Sequence, residues 1–272
     1  MHLPVTYYPV PTQDLFEHNA QRIKDKPYAK YFNGDLWLHD DVMPAIRHAL
    51  PPSAALSSRP EDINRLLDPG YHEFETGFGV SEQGTPYVAS LTRFPGCTPE
   101  MFTWWFWWHS VEPERYSLWY PHNHLQAIPR NQDVLTQPGL TDEQRYIGNT
   151  HDIVEYLGPM RAELVIEFVD PSAFGMDTSR FAQAGYRAHA CGYIRDGLML
   201  HLVRETPDGF ELRSRYIFDR GEKPTGDVPA GAREQALAFA YELVLHDQIE
   251  FTHLSTFLAD IYHEFSGDPA AS

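Results

Sequence analysis

The stretch GYRAHACGYIRDGLMLHLVRETPDGFELRSRYIF, residues 185–218, decides the fold. It reads as three strands, 185–194, 198–205 and 210–218, joined by Arg195-Asp196-Gly197 and Pro207-Asp208-Gly209. Both joints carry the residues that tight turns require. Strands joined this closely pair antiparallel. Upstream, 162–169 is a further apolar strand, and 72–80 and 86–94 flank Ser81-Glu82-Gln83-Gly84 as a hairpin. Downstream, the chain after Gly231 runs to Phe265 without Pro or Gly. Helix formers dominate there and apolar residues recur at three and four, which predicts one long helix. The expected class is α+β, a curved antiparallel sheet wrapped on a long C-terminal helix. Such a helix-grip arrangement leaves a cavity between its layers, suited to a small apolar ligand.

Ahead of the sheet, residues 1–70 are rich in Pro and carry short helical patterns. One covers 14–24 with Thr12 as its cap, another 42–50 stopped by Pro51-Pro52, and a third 60–67. The expected organisation is a smaller helical section at 1–70 followed by the sheet-and-helix section at 71–272. Inside the latter, Thr98-Pro99-Glu100 reads as a helix start. That helix carries Met101-Phe102-Thr103-Trp104-Trp105-Phe106-Trp107-Trp108-His109.

The net charge of -17, with no clustering of Lys and Arg along the chain, argues against nucleic acid and anionic membrane surfaces as partners. The start, Met1-His2-Leu3-Pro4-Val5, lacks the features of a secretory signal. The longest apolar run, 104–108, falls far short of the roughly 20 residues needed to span a bilayer. Two cysteines, Cys97 and Cys191, make neither a disulfide framework nor a thiolate metal site. A reducing, cytoplasmic location is expected. Aromatic residues reach 14%, which fits a ring-filled core or a pocket for a flat aromatic ligand.

Several residues have chemistry to offer. His246 and Glu250 stand four apart in the long helix, so both project from one face, as two ligands of one metal would. Arg115-Tyr116-Ser117-Leu118-Trp119-Tyr120-Pro121-His122-Asn123-His124 is dense in polar and aromatic groups. Read as extended, it points His122 and His124 the same way, although a polar loop is the plainer reading of His122. Glu155 sits in the apolar Asp152-Ile153-Val154-Glu155-Tyr156-Leu157. A surface carboxylate at a strand edge is its default, and a buried one needs a cation. His201 lies in an apolar strand. Tyr216 shares the inward face with Leu212 and Phe218, while Arg213 and Arg215 point outward.

Taken together, these pieces resemble the diacetylphloroglucinol hydrolase family, which includes phloretin hydrolases. The likeness rests on 104–109, Arg115-Tyr116, Trp119, Pro121, His124, Glu155 before Tyr156-Leu157-Gly158, His201, Tyr216 and the His246/Glu250 pair, in that order, over roughly residues 70–255. The resemblance implies a Bet v 1-like fold preceded by a smaller helical part, and a homodimer. It implies a zinc ion held by His124, Glu155, His246 and Glu250, with Tyr116, His201 and Tyr216 contacting the oxygens of a small aromatic ketone. One position departs: the family's substrate-binding Asn is Ala127 here, and Asn123 is not its equivalent.

The implied reaction is hydrolysis of the carbon–carbon bond between an acyl group and a phloroglucinol-type ring. Such a ring is a vinylogous β-diketone in its keto form, so the reaction is a retro-Claisen cleavage releasing a carboxylic acid. His201 is the expected proton carrier. A His/Glu donor set also accepts manganese or iron. The competing readings are a hydrophobic-ligand carrier without catalysis, and another metal-dependent β-diketone hydrolase or decarboxylase. Among the other histidines, His253 is expected at the surface or beside the site, and His109 and His151 in supporting or structural roles. His39, His48, His72 and His263 are expected to face solvent.

Overall fold

The computed structural model describes residues 2–221 and 229–267; the remaining parts of the expected 71–272 section, residues 222–228 and 268–272, lie outside the described residues. The described residues form ten strands: β1 (His2–Pro4), β2 (Trp37–His39), β3 (Gly77–Val80), β4 (Pro86–Pro95), β5 (His124–Pro129), β6 (Thr150–Leu157), β7 (Met160–Phe168), β8 (Tyr186–Ile194), β9 (Gly197–Thr206) and β10 (Gly209–Ile217). β1 and β2 form a small ribbon. The other eight form one antiparallel sheet in the order β3-β4-β10-β9-β8-β7-β6-β5. The class is therefore α+β. The meander read from 185–218 is its centre, and its register sets Ser214 opposite His201 and Tyr216 opposite Met199.

The helix expected over 231–265 is two helices, Ala230–Ser255 and Leu258–Phe265. Hydroxyl side chains explain the break. Ser255 Oγ donates to the Thr252 carbonyl at 2.7 Å and Thr256 Oγ1 to the His253 carbonyl at 2.6 Å, so side chains take backbone acceptors at the end of the helix. The long helix lies along β3 and β4, and the Trp-rich helix, Pro99–Trp108, packs on β8 and β9. Between them the inner face of the sheet is filled by Phe210, Leu212, Tyr216, Met199 and the Trp and Phe rings of the Trp-rich helix.

The outer face is also covered at its centre. Leu50, Leu56, Ile63, Leu66 and Leu67 from the N-terminal section pack against Tyr87, Leu200, Leu202 and Ile217. This cover decides the surroundings of Arg213 and Arg215. They do leave the inner face, but they end in a closed layer and are fully buried. Both bind Glu75: Arg213 Nη2 reaches Oε1 at 2.6 Å, and Arg215 Nη2 reaches Oε2 at 2.5 Å. Burial alone would raise the Glu75 pKa. The Arg215 charge and the hydrogen bonds and charge of Arg213 outweigh it and bring the carboxyl down to about 2.

Other expected boundaries shift for local reasons. The first helix is Val10–Ile23, with Thr12 inside it rather than capping it, its hydroxyl donating to the Pro9 carbonyl at 2.8 Å. The pattern at 42–50 is helical only over Val42–Ala45, because Leu50 leaves to donate its amide to the Phe78 carbonyl at the edge of β3. The pattern at 60–67 splits into Pro60–Ile63 and a tighter turn, Asn64–Leu67. The strand expected from 72 starts only at Gly77, since the preceding residues bend to bring Glu75 under Arg213 and Arg215. No helix among the described residues is long and apolar enough to cross a membrane.

Candidate metal centre

Four elements deliver the polar groups. The helix Pro113–Trp119 carries Tyr116, so the segment read as extended is helical through Trp119. It then turns at Tyr120 and enters β5 at His124; the Asn123 and His124 amides both donate to the Tyr120 carbonyl. The two histidines therefore part company. His122 stacks between Tyr8 at 3.7 Å and Phe16 at 4.4 Å, outside the site, whereas His124 is fully buried. Asn19 of the first helix clamps this turn, its Nδ2 donating to the Pro121 and His124 carbonyls at 3.0 and 2.8 Å. The β5–β6 pairing sets His124 opposite Glu155. Glu155 is buried, not a surface residue. His246 and Glu250 meet them from one turn of the long helix.

The donor atoms converge. His124 Nε2 lies 3.1 Å from His246 Nε2, 3.3 Å from Glu250 Oε2 and 3.8 Å from Glu155 Oε2. His246 Nε2 is 3.9 Å from Glu155 Oε1 and 3.8 Å from Glu250 Oε2. Tetrahedral zinc with N and O ligands at about 2.0–2.2 Å has ligand-to-ligand edges of about 3.3–3.6 Å, and the observed separations bracket that range. His124, Glu155 and His246 offer atoms mutually within 4.8 Å, and Glu250 approaches the two imidazoles from the helix side. His124 Nδ1 sits 3.3 Å from the Tyr116 carbonyl, to which it donates, leaving Nε2 as a lone-pair ligand.

The electrostatics ask for a cation. Burial pushes Glu155 up to about 7, and the hydrogen bond from Tyr116 offsets only part of this. Burial, then the charges of Asp247 and Glu155, hold Glu250 well above the usual carboxylate range. Burial lowers His246 to about 3 and His124 well below its ordinary value, so both rings are neutral donors. Two buried carboxylates facing two neutral imidazoles fit a divalent cation. The described residues thus suit a metal held by His124, Glu155 and His246, with Glu250 beside the two imidazoles.

The cluster borders a mostly apolar cavity between sheet and helix, walled by Phe106, Ile153, Leu164, Phe168, Met199 and Leu243. Tyr116, His201 and Tyr216 also line it. Tyr116 Oη donates to Glu155 Oε2 at 2.5 Å, and its ring stacks on His124 with centroids 3.9 Å apart. Tyr216 Oη donates to Asp247 Oδ2 at 3.1 Å. His201 Nδ1 meets Ser214 Oγ at 2.8 Å, and burial lowers the ring to about 3.

Reading the sequence missed Asp247, which burial raises to about 6, and Ser214. Asp247 directly follows a candidate ligand within an apolar run, which was its only signal. Ser214 is visible only once β9 and β10 are in register. His253 is buried, with its ring against Phe257 at 5.2 Å, so it is not a surface residue. His48 and His263 are exposed, but His39 and His72 are half-buried. His39 packs edge-on against His2 across the small ribbon, and His72 Nε2 meets the Arg65 carbonyl at 3.0 Å.

Comparison with known proteins identifies relatives of the chain. The family model described as "DAPG hydrolase PhiG domain" matches residues 56–263. A 2,4-diacetylphloroglucinol hydrolase of Pseudomonas protegens is 36% identical, covering 98% of this chain and 94% of the relative. A phloretin hydrolase of Eubacterium ramulus is 29% identical over 89% of this chain and 91% of its own. Among solved structures, "Crystal structure of Ara h 8.0201" aligns with a TM-score of 0.37 at 7% identity, over 64% of this chain and 97% of the other.

Proposed function

The chain belongs to the DAPG hydrolase family, and from that premise we propose that it hydrolyses the carbon–carbon bond between an acyl group and a phloroglucinol-type ring, with zinc as its cofactor. The observation that carries this reading is the meeting of His124, Glu155, His246 and Glu250 at the edge of an aromatic-lined cavity. We read the architecture as a helix-grip fold and the working form as a homodimer.

The overall change adds water across the bond: the acyl carbon gains oxygen and leaves as a carboxylic acid, and the ring carbon gains a proton. The four ligands would hold the ion, which when bound supplies Lewis acidity toward the acyl carbonyl. Tyr116 fixes Glu155 through its hydroxyl and His124 through stacking, so it orients two ligands while facing the substrate. His201 is neutral across the working range and can accept and return a proton at Nε2, with Nδ1 steadied by Ser214. Tyr216 is aimed by Asp247. With its proton on the carboxylate, its oxygen accepts from a phenolic hydroxyl; donation to a developing enolate oxygen requires that proton to turn toward the ring.

The test is acid release from monoacetylphloroglucinol, diacetylphloroglucinol and phloretin, with metal content measured on the same protein. Turnover of at least one, lost on chelation and restored by zinc, is the expected result. Bound metal without turnover of any of the three would overturn the substrate assignment. Sedimentation as a monomer at working concentration would overturn the homodimer.

A further inference from the structure

Two histidines that this chemistry does not use also line the cavity: His109 and His151. His109 closes the Trp-rich helix and is almost fully buried. Its Nδ1 lies 2.7 Å from the Trp105 carbonyl oxygen. A carbonyl only accepts, so Nδ1 carries the proton and Nε2 is a bare acceptor. Burial lowers this ring to about 3, which keeps Nε2 unprotonated, and no protein group among the described residues hydrogen-bonds to it.

His151 stands beside it on β6, on the same face as Ile153 and Glu155. Ser110 Oγ donates to the Phe106 carbonyl at 3.4 Å and therefore accepts from His151 Nδ1, also at 3.4 Å. That leaves His151 Nε2 as a second acceptor, buried and without a partner. A buried polar atom left unpaired in a native fold needs an explanation, and these two face the cavity. The rings of His124, Tyr116 and His109 follow one another with centroids 3.9 and 5.6 Å apart. The succession runs from the metal cluster past Tyr116 to His109 along the cavity wall.

We propose that Nε2 of His109, with Nε2 of His151 beside it, accepts hydrogen bonds from substrate ring hydroxyls remote from the acyl group. This rests on the function proposed above and assigns to it two specificity-determining residues, which select free ring hydroxyls against their O-methyl ethers. Carbonyl and ether oxygens have no proton to give and face a bare nitrogen lone pair. Phenolic hydroxyls have one. Neither histidine touches the reacting bond, so both set specificity rather than carry the reaction.

Calorimetric binding of phloroglucinol and of its trimethyl ether, which has no hydroxyl to donate, to wild type, His109→Phe and His151→Leu, separates the possibilities. Each preference is taken as a ratio within one protein, so a general loss of active fraction cancels. Wild type should prefer the free ring by about 10- to 100-fold, the loss expected when a buried acceptor goes unpaired. His109→Phe should bring the ratio close to one, His151→Leu should lower it less, and His109→Gln, which keeps an acceptor, should restore most of it. Equal binding of the two rings by wild type, or a ratio unchanged in both truncated variants, overturns the inference. A preference lost in His109→Phe, in a protein that cleaves none of the acylated substrates, supports the inference and overturns the reaction reading.

Discussion

His246 and Glu250 contribute two donor atoms from one helical turn, while His124 and Glu155 come from paired strands. The rigid supports leave little room to compensate for a lost ligand. Tyr116 is a finer probe, because it holds Glu155 without being a ligand. Tyr116→Phe should weaken zinc affinity by about 10- to 100-fold with the fold intact, as removal of an outer partner of a ligand does. Competition with a chelating dye measures it, and unchanged affinity would remove Tyr116 from the ligand-orienting role. His201→Ala tests a different step. It should lower kcat by about 10²- to 10⁴-fold at unchanged metal content, and nearly full turnover would take the proton-carrying role from His201.

At the scale of elements, the legible parts were those set by local spacing. The i, i+4 pair on the long helix and the turns of the 185–218 meander need only nearest neighbours along the chain. Where the reading failed, a distant segment decided the outcome. The helical turn that parts His122 from His124 is clamped by Asn19, more than a hundred residues upstream. Strand alternation sent Arg213 and Arg215 outward correctly, yet it carries no information on whether outward means solvent. The N-terminal section closes that side and supplies hydrophobic cover, and Glu75 supplies the charge. Glu75→Gln would leave two fully buried guanidiniums without a counter-charge, and should cost about 3–5 kcal/mol in denaturant unfolding. A loss under 1 kcal/mol would show that the cluster is wetter than the structure draws it.

For the whole molecule, the buried histidines set the acid limit. Burial lowers His109 and His201 to about 3, and His151, His189 and His253 to about 4. An unfolded chain protonates each near its ordinary 6.5, so below that pH the unfolded state binds more protons and stability falls as pH falls. Each contributes a slope of up to about 1.4 kcal/mol per pH unit until its folded value is reached. Glu75 works on another window, because its depressed pKa stabilises above 4.5 and is lost only toward 2. In metal-free protein the raised carboxyls of Glu155, Asp247 and Glu250 oppose this by taking up protons in the folded state. The buried histidines outnumber them, so chemical unfolding should show a net drop in stability between pH 6.5 and 4, and a rise there would contradict the burial of these rings. The most direct test of the central claim is acid release from acylphloroglucinols by one preparation, before and after chelation, with metal counted per chain. We expect turnover with about one zinc per chain, as a single four-ligand site requires, lost on chelation, regained with zinc and absent from His246→Ala. Turnover that persists at full rate in metal-free protein, or in His246→Ala, would contradict it.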